Sequence, residues 1–477
     1  MKRLPDLSKL SVEQKDALIE QMWLLLEKLQ ARVAELESRL SKDSHNSHKP
    51  PSSDGLKKTN SLREPSGKLP GGQVGHKGSG LKREAHPDKV VEHRLPRRCE
   101  CGAALQAARF IESRQVIDIP VARYEVTEHR VWMARCGCGR EHTGTFPDGV
   151  DQVVQYGPNV KALAVHLMHW HLHPMKRVAQ LIEQLYGLRV SPGTVSAWIA
   201  EAAKRLSDPV RQIEQALLDN EVIHADETGL RVEAKLNWMH VVATADQTWY
   251  GVHGKRGEKA MRELGILPAF EGVTVHDCWN PYWRMPAEHA LCNAHLLREL
   301  TAIHESTQQR WPRRMIRHLT RAHEQCERAR QANQSKLPES TQRCIERRFH
   351  AILNEGRRRH PRQAKTCAAR GRAKQSSAYN LIARMSAHAH EVLRFVSDLR
   401  VPFTNNLAEQ AVRMPKVKQK ISGCFRTAKG AAHFCTIRSY LDTLRKQRQN
   451  VFDALRQTFS GCPPSPCPHR SEEHTSE

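Results

Sequence analysis

Three acids and four cysteines are the residues of this sequence best equipped for chemistry. The stretch Val222-Ile-His-Ala-Asp-Glu-Thr-Gly-Leu230 reads as a short β-strand that starts apolar and ends on two carboxylates. A carboxylate at the end of a buried strand is costly unless a cation holds it, which makes Asp226 a candidate metal ligand. The same residues also suit an ordinary strand-end turn or helix cap. Gly272-Val-Thr-Val-His-Asp277 repeats the device. Alternation sets Val273, Val275 and Asp277 on one face, as it sets Val222, His224 and Asp226, with Glu227 on the opposite face. Two strands of one sheet, each ending in aspartate, can bring those side chains together. The third acid, Glu409, lies in a helix opened by Pro402-Phe-Thr-Asn-Asn-Leu-Ala-Glu409, with Thr404 or Asn405 as its cap. Glu409, Arg413 and Lys416 follow at i, i+4 and i+7, a pattern that suits a metal ligand beside a phosphate and equally an intrahelical salt bridge. Pro415 is expected to kink this helix before Lys416.

The cysteines come as Cys99-Glu-Cys101-Gly102 and Cys136-Gly-Cys138-Gly139, joined by strand-like sequence at 115–120 and 124–133. Two thiolate pairs, each followed by a glycine that lets the knuckle turn tightly, point to a four-cysteine zinc ribbon. The one-residue spacer is shorter than the usual two, and His142 is an alternative ligand. Four thiolates leave no open coordination position, so the Zn²⁺ would be structural.

The surrounding chain has to position these groups. Its 477 residues carry 75 Lys+Arg against 51 Asp+Glu, a formal charge of +24, and the pI is near 9.7. That excess points to a polyanion such as nucleic acid. No stretch is apolar for long enough to span a bilayer, and the N-terminus lacks a signal-peptide core, so a cytoplasmic protein is expected. The 13 cysteines, an odd number scattered outside the two pairs, argue against a secreted disulfide scaffold.

Several elements can be read in order. Residues 1–40 hold a zipper-like helix, with Val12, Ile19, Leu26, Val33 and Leu40 at one heptad position and Met22, Leu29 and Leu36 at the other. Residues 41–85 form a basic linker without periodicity. The zinc module fills 86–150. Residues 151–215 read as helix, turn and helix, with Gly187 closing the first and Ser191-Pro192 opening the second, the pattern of a helix-turn-helix or of plain helical packing. Strands at 237–244 and 248–253 make a hairpin and 257–264 a helix, while 289–303 looks helical. Residues 306–400 read as a basic helical insertion whose loops, around Arg357–His360 and 369–375, would meet phosphate. Residues 401–460 carry the glutamate helix and, at 433–446, a helix expected to add basic surface. The tail at 461–477 is proline-rich and expected to be disordered. Its last eight residues resemble a translated sequencing adapter and stand outside the fold argument.

These motifs together carry a resemblance. Lys49-Pro-Pro-Ser-Ser-Asp-Gly55, Gly75-His-Lys-Gly78, the paired cysteines, His224-Ala-Asp-Glu-Thr228, His276-Asp277, Thr404-Asn-Asn-Leu-Ala-Glu409 and Lys420-Ile-Ser-Gly-Cys-Phe425 resemble those of the insertion-sequence-sixty-six family of transposases, from the first helix to about residue 460. Val74 replaces the usual proline of the linker motif, and Gln410 the arginine that commonly follows the glutamate. Neither is a candidate metal ligand, so the departures bear on DNA contacts.

The resemblance implies a multidomain α/β protein. Its catalytic domain, at 216–305 and 401–460, would be a ribonuclease-H-like mixed sheet interrupted by the helical insertion, and its catalytic triad Asp226, Asp277 and Glu409. Those acids would hold two Mg²⁺ ions that activate a water for in-line attack on a phosphodiester and then align the freed 3′-hydroxyl for strand transfer. Arg413 and Lys416 would position phosphate. Expected partners are transposon ends and target DNA, a second copy through the first helix, and accessory proteins of the same element, all in the bacterial cytoplasm at the nucleoid. The competing readings are a ribonuclease-H-like nuclease without strand transfer and a non-catalytic zinc-dependent DNA-binding regulator.

Overall fold

The computed structural model describes residues 11–40, 42–43, 45–47, 82–95, 98, 100–101, 103–104, 109–364, 373 and 375–467. Cys99, the linker motifs at 49–55 and 75–78, and residues 468–477 lie outside them. The described elements are α1 (Val12–Leu40), β1 (Met133–Arg135), β2 (Glu141–Thr143), α2 (Pro158–Val165), α3 (Met175–Tyr186), α4 (Pro192–Arg205), α5 (Ser207–Leu218), β3 (Val222–Val232), β4 (Lys235–Ala243), β5 (Thr248–His253), α6 (Glu258–Leu264), α7 (Ile266–Ala269), β6 (Val273–His276) and β7 (Glu288–Leu291). There follow α8 (Asn293–Thr307), α9 (Arg310–Gln331), α10 (Glu339–Arg359), α11 (Ser377–Ala387), α12 (Ala389–Ser397), α13 (Asn406–Ala411), α14 (Arg413–Ser422), α15 (Ala428–Lys446) and α16 (Val451–Phe459).

A five-stranded sheet in the order β5-β4-β3-β6-β7 organises the chain. β3, β4 and β5 are antiparallel, whereas β6 and β7 run parallel to β3. β3 is longer than its sequence suggests, and the two carboxylates sit at its middle. It continues into a hairpin with β4 because Glu233 and Ala234 adopt positive φ (51° and 60°), the backbone a two-residue hairpin turn requires, without a glycine to announce it. β7 is a second departure, since 289–291 belong to a strand and the helix begins only at Asn293. Four residues are too few for alternation to outweigh the helical pattern behind them.

Alternation along β3 divides two cores. Ile223 and Ala225 pack into a cluster with α2–α5, α15 and α16, including Trp198, Ile213, Phe270 and Tyr440. On the other face, Val273, Val275, Ala290 and Leu291 join α8–α12 in a cluster around Trp311, Phe349 and Phe395. The helical insertion therefore shares its core with the sheet. Arg357–Arg359 lie in the last turn of α10, not in a loop, where cations complement the helix dipole. Leu230, Val232, Met239 and Tyr250 form a third cluster with Phe425 and Phe434.

α15 corrects the expectation of basic surface at 433–446. Ile437 through Leu444 are all buried, Arg438 and Asp442 among them. Beyond the sheet, α3 ends on Gly187 at φ 71° and Ser191 Oγ caps α4 by accepting from Thr194 N at 3.0 Å. The strands expected at 115–120 and 124–133 are not formed apart from Met133, and Val116, Ile119 and Val121 are exposed. Gly461–Cys467 packs against the domain, with Pro464 O accepting from Tyr440 Oη at 2.8 Å.

Candidate active site

β3 and β6 pair with Val222 opposite Val273 and His224 opposite Val275. The same register carried two residues further sets Asp277, the first residue after β6, beside Asp226. The β3–β6 pairing ends at His224 and Val275, so both carboxylates lie just beyond it, the usual location of sites in sheets with parallel strands. Trp279 N donates to Asp277 Oδ1 at 2.9 Å and Glu227 N to Asp226 Oδ1 at 2.8 Å. Neither aspartate has a cationic side-chain partner among the described residues.

Glu409 arrives on α13. Asn405 takes the N-cap position of this helix, yet its side chain caps nothing. Its Oδ1 lies 2.9 Å from His224 Nδ1 and its Nδ2 donates to Ala225 O at 2.8 Å, so the residue fastens α13 to β3. Burial lowers the His224 pKa to about 4, leaving a neutral ring whose Nδ1–H donates in the tautomer this bond needs. The glutamate carboxylate meets α8. Cys292 Sγ donates to Oε1 at 3.4 Å, His295 Nδ1 stands 3.6 Å from the same oxygen, and Arg298 Nη2 reaches Oε2 at 3.5 Å. Cys292, His295 and Arg298 played no part in the sequence reading. Their i, i+3, i+6 spacing was legible, but its meaning depends on a glutamate far away in the chain.

The electrostatics separate the two adjacent carboxylates of β3. Burial pushes the Asp226 carboxyl well above the usual range, and Glu227, Asp277 and Glu409 raise it further against the Glu227 backbone hydrogen bond. Asp277 and Glu409 are near enough to Asp226 to act on its charge, although the ligand atoms of the three acids do not form a cluster within 4.8 Å of one another. Glu227 points to the other face, as alternation requires. Arg256 Nη2 pairs with its Oε1 at 2.7 Å, Tyr282 Oη donates to Oε2 at 2.5 Å, and the Arg256 guanidinium stacks 4.0 Å from the Trp279 ring centroid. Burial raises the Glu227 pKa, opposed by Tyr282 and Arg256. Glu227 is thus a held structural group beside the site.

The expected helix through Glu409, Arg413 and Lys416 is two helices. The break falls at Val412, ahead of Pro415, whose ring cannot tolerate the carbonyl four residues upstream in a continuous helix. Arg413 is exposed and has no hydrogen bond or ion pair among the described residues. Lys416 Nζ donates to Gly229 O, strapping α14 to β3. Phe425 extends this attachment, exchanging backbone hydrogen bonds with Arg231 and Glu233 at 2.9 Å each.

Of the candidate zinc ligands, Cys136 and Cys138 occupy the turn between β1 and β2. Cys136 N donates to Arg140 O and Gly139 N to Cys136 O, each at 2.8 Å, with Gly139 at φ 86°. The Cys136 thiol pKa is lowered by hydrogen bonds from the Cys138 backbone and side chain. Cys101 is exposed, and the three described cysteines do not form a ligand cluster. Among the described residues, Cys292, His295 and Glu409 do, with ligand atoms within 4.8 Å of one another.

A model of the Transposase IS66 family matches residues 153–433, and one of a Family of unknown function (DUF6444) matches residues 2–82. No curated protein matches the chain. A transposase family implies DNA as partner and divalent metal as cofactor. The first match takes in Asp226, Asp277, Glu409 and more than half of the sequence, and the protein belongs to the IS66 family of transposases.

Proposed function

We propose that this chain binds the ends of its insertion sequence and catalyses divalent-metal-dependent phosphodiester hydrolysis and strand transfer with Asp226, Asp277 and Glu409. The observation that carries the reading is the register of the parallel ladder, which continued by two residues sets Asp226 opposite Asp277, without a cationic side-chain partner for either among the described residues, while Glu409 on α13 is near enough to act on the charge of Asp226. A half-buried carboxyl destabilised by three neighbouring acids calls for a bound cation, so these residues fit a hard divalent ion such as Mg²⁺. When bound, such ions supply Lewis-acid activation of water and neutralise charge on the scissile phosphate. The protein holds the acids in place, through the strand register for the aspartates and through Asn405 and Arg298 for Glu409. Exposed Arg413 would meet a phosphate oxygen, whereas Lys416 would act after releasing Gly229 O. The sheet order, three antiparallel strands continued by two parallel ones, supports a ribonuclease-H-like domain.

The remaining modules fit the same activity. α3 and α4 would read DNA as a helix-turn-helix. The Cys136–Cys138 knuckle would supply half of a zinc ribbon completed by Cys99 and Cys101. The heptad residues of α1 stand exposed, Leu26 at 51% and Leu29 at 53%, which supports a zipper joining two copies. No described helix is long and apolar enough to cross a membrane.

The test is incubation with the element's ends and Mg²⁺, comparing the wild type with Asp226→Asn, Asp277→Asn and Glu409→Gln. End cleavage and joined products are expected only from the wild type, with end binding kept in all. Cleavage by any of the three variants would sink the triad. Hydrolysis without joining would shift the reading to a nuclease.

A further inference from the structure

We propose that Cys292, His295 and Glu409 form a site for a thiophilic divalent ion of the Zn²⁺ class, distinct in ligand chemistry from the three-carboxylate site and sharing only Glu409 with it. Cys292 and His295 enter from the start of α8, Cys292 at the N-cap and His295 in the first turn, with His295 N donating to Cys292 O at 3.2 Å. The thiol is fixed from two directions. Cys292 N donates to His276 O at 2.9 Å, and Cys292 Sγ accepts from Asn405 N at 3.1 Å. Both elements that place the candidate catalytic acids therefore also place this sulfur.

Cys292 Sγ and His295 Nδ1 lie 3.4 and 3.6 Å from Glu409 Oε1. Zinc bonds of about 2.3 Å to sulfur and about 2.0 Å to nitrogen and oxygen, at tetrahedral angles, set ligands roughly 3.3–3.5 Å apart. Two edges of such a tetrahedron are thus already formed, and the third ligand pair is within 4.8 Å. Arg298 engages the other carboxylate oxygen, Oε2, and leaves Oε1 to the cysteine and histidine. A sulfur–nitrogen–oxygen set selects Zn²⁺ or Co²⁺ over Mg²⁺, which prefers an all-oxygen octahedron. Binding exchanges the Cys292 thiol proton for the metal and releases that proton to solvent. No electron is transferred, and the fourth position stays open to an exchangeable ligand.

Occupation holds Glu409 Oε1 on Cys292 and His295, so that this oxygen is withheld from an ion bound with Asp226 and Asp277. On the proposed catalytic role of Glu409, a thiophilic ion is then an inhibitor that competes with Mg²⁺. The test titrates Co²⁺ into the full-length wild type, Cys292→Ser and His295→Gln, reading thiolate-to-cobalt charge transfer in the near ultraviolet. Absorption from the four-cysteine module is common to all three proteins and cancels in the differences. Serine keeps an acceptor for Asn405 N–H, and circular dichroism verifies the fold. Should Cys292→Ser fail to fold, His295→Gln alone decides. The expected result is a wild-type band absent from Cys292→Ser and a Co²⁺ affinity at least about tenfold weaker in His295→Gln. Identical spectra and affinities would overturn the site and leave a hydrogen-bonded cluster only. In a cleavage assay with Mg²⁺, Zn²⁺ should inhibit the wild type at a concentration at least about tenfold below that needed for Cys292→Ser, each relative to its own Mg²⁺-supported rate. Cysteine-dependent Co²⁺ binding in a protein that never cleaves DNA would retain the site and reject the catalytic reading.

Discussion

Two polar clusters lie against the same sheet, one buried and one half-buried, and the chain treats their charges in opposite ways. In α15, Arg438 and Asp442 are 3% and 4% exposed, yet every charge is answered internally. Arg438 Nε donates to Asp442 Oδ2 at 2.8 Å and Nη1 to His169 O at 3.0 Å, its guanidinium stacks on Trp170, and Tyr250 Oη donates to Asp442 Oδ2 at 2.6 Å. At the end of the β3–β6 ladder, Asp226 is acted on by three further acids with only a backbone hydrogen bond to offset them. A carboxylate retained for stability is neutralised by its own chain. One left in electrostatic debt lowers stability and is better understood as awaiting a ligand.

Substitutions at the two clusters should therefore act in opposite directions. The largest effect is expected from Asp226→Asn, which should slow end cleavage at least about a thousandfold while raising the melting temperature of the metal-free protein. A lowered melting temperature would remove the contrast between the clusters. Next, Asp442→Ala should cost about 3–5 kcal/mol in denaturant unfolding, because it strands Arg438 in the core. A loss below about 1 kcal/mol, the level of a surface pair, would show that the α15 cluster is not closed.

A smaller effect concerns pH. The His169 ring, beside Arg438, has no hydrogen-bond partner for either nitrogen among the described residues. Burial, with the charges of Lys418, Arg438 and His433, lowers its pKa to about 3. The unfolded chain therefore binds a proton that the folded one refuses, and this stability is present above pH 6.5 and lost as pH falls. From pH 7.5 to 5 the loss due to His169 is about 2 kcal/mol, and His169→Leu should reduce the pH dependence of unfolding by that amount, the remainder coming from other buried histidines such as His224. Equal slopes in the two proteins would contradict it. The smallest change, Ser191→Ala at the cap of α4, should cost about 1 kcal/mol and gives the scale of a purely local interaction. A cost as large as that at Asp442 would erase the distinction between local and buried contacts.

Much of the frame was legible because its signals are local. Alternation put Asp226 and Asp277 on corresponding faces and turned Glu227 away. Gly187 and Ser191 marked the helix limits they occupy. The missed features depend on distant partners. Arg438 and Asp442 at i, i+4 look like a surface pair until Tyr250, His169 and Trp170 close over them. Asn405 reads as a cap, but β3 offers its side chain better bonds than the helix end does. The hairpin turn after Val232 lacks the usual turn residues. Cys292, His295 and Arg298 look like one face of an amphipathic helix until Glu409 is set against it.

The bond between Asn405 and β3 joins residues 181 positions apart. During synthesis, a ribosome that has just delivered Asp277 has made two of the three proposed catalytic acids. Glu409 follows after 132 more residues, roughly 7–26 s later at about 5–20 residues per second. Until α13 emerges and Asn405 finds His224, the nascent chain has a basic surface and only two of the three proposed acids. On the proposed triad, a product terminated before α13 would keep basic surface and lack the third acid, so it would be expected to bind DNA without cleaving it.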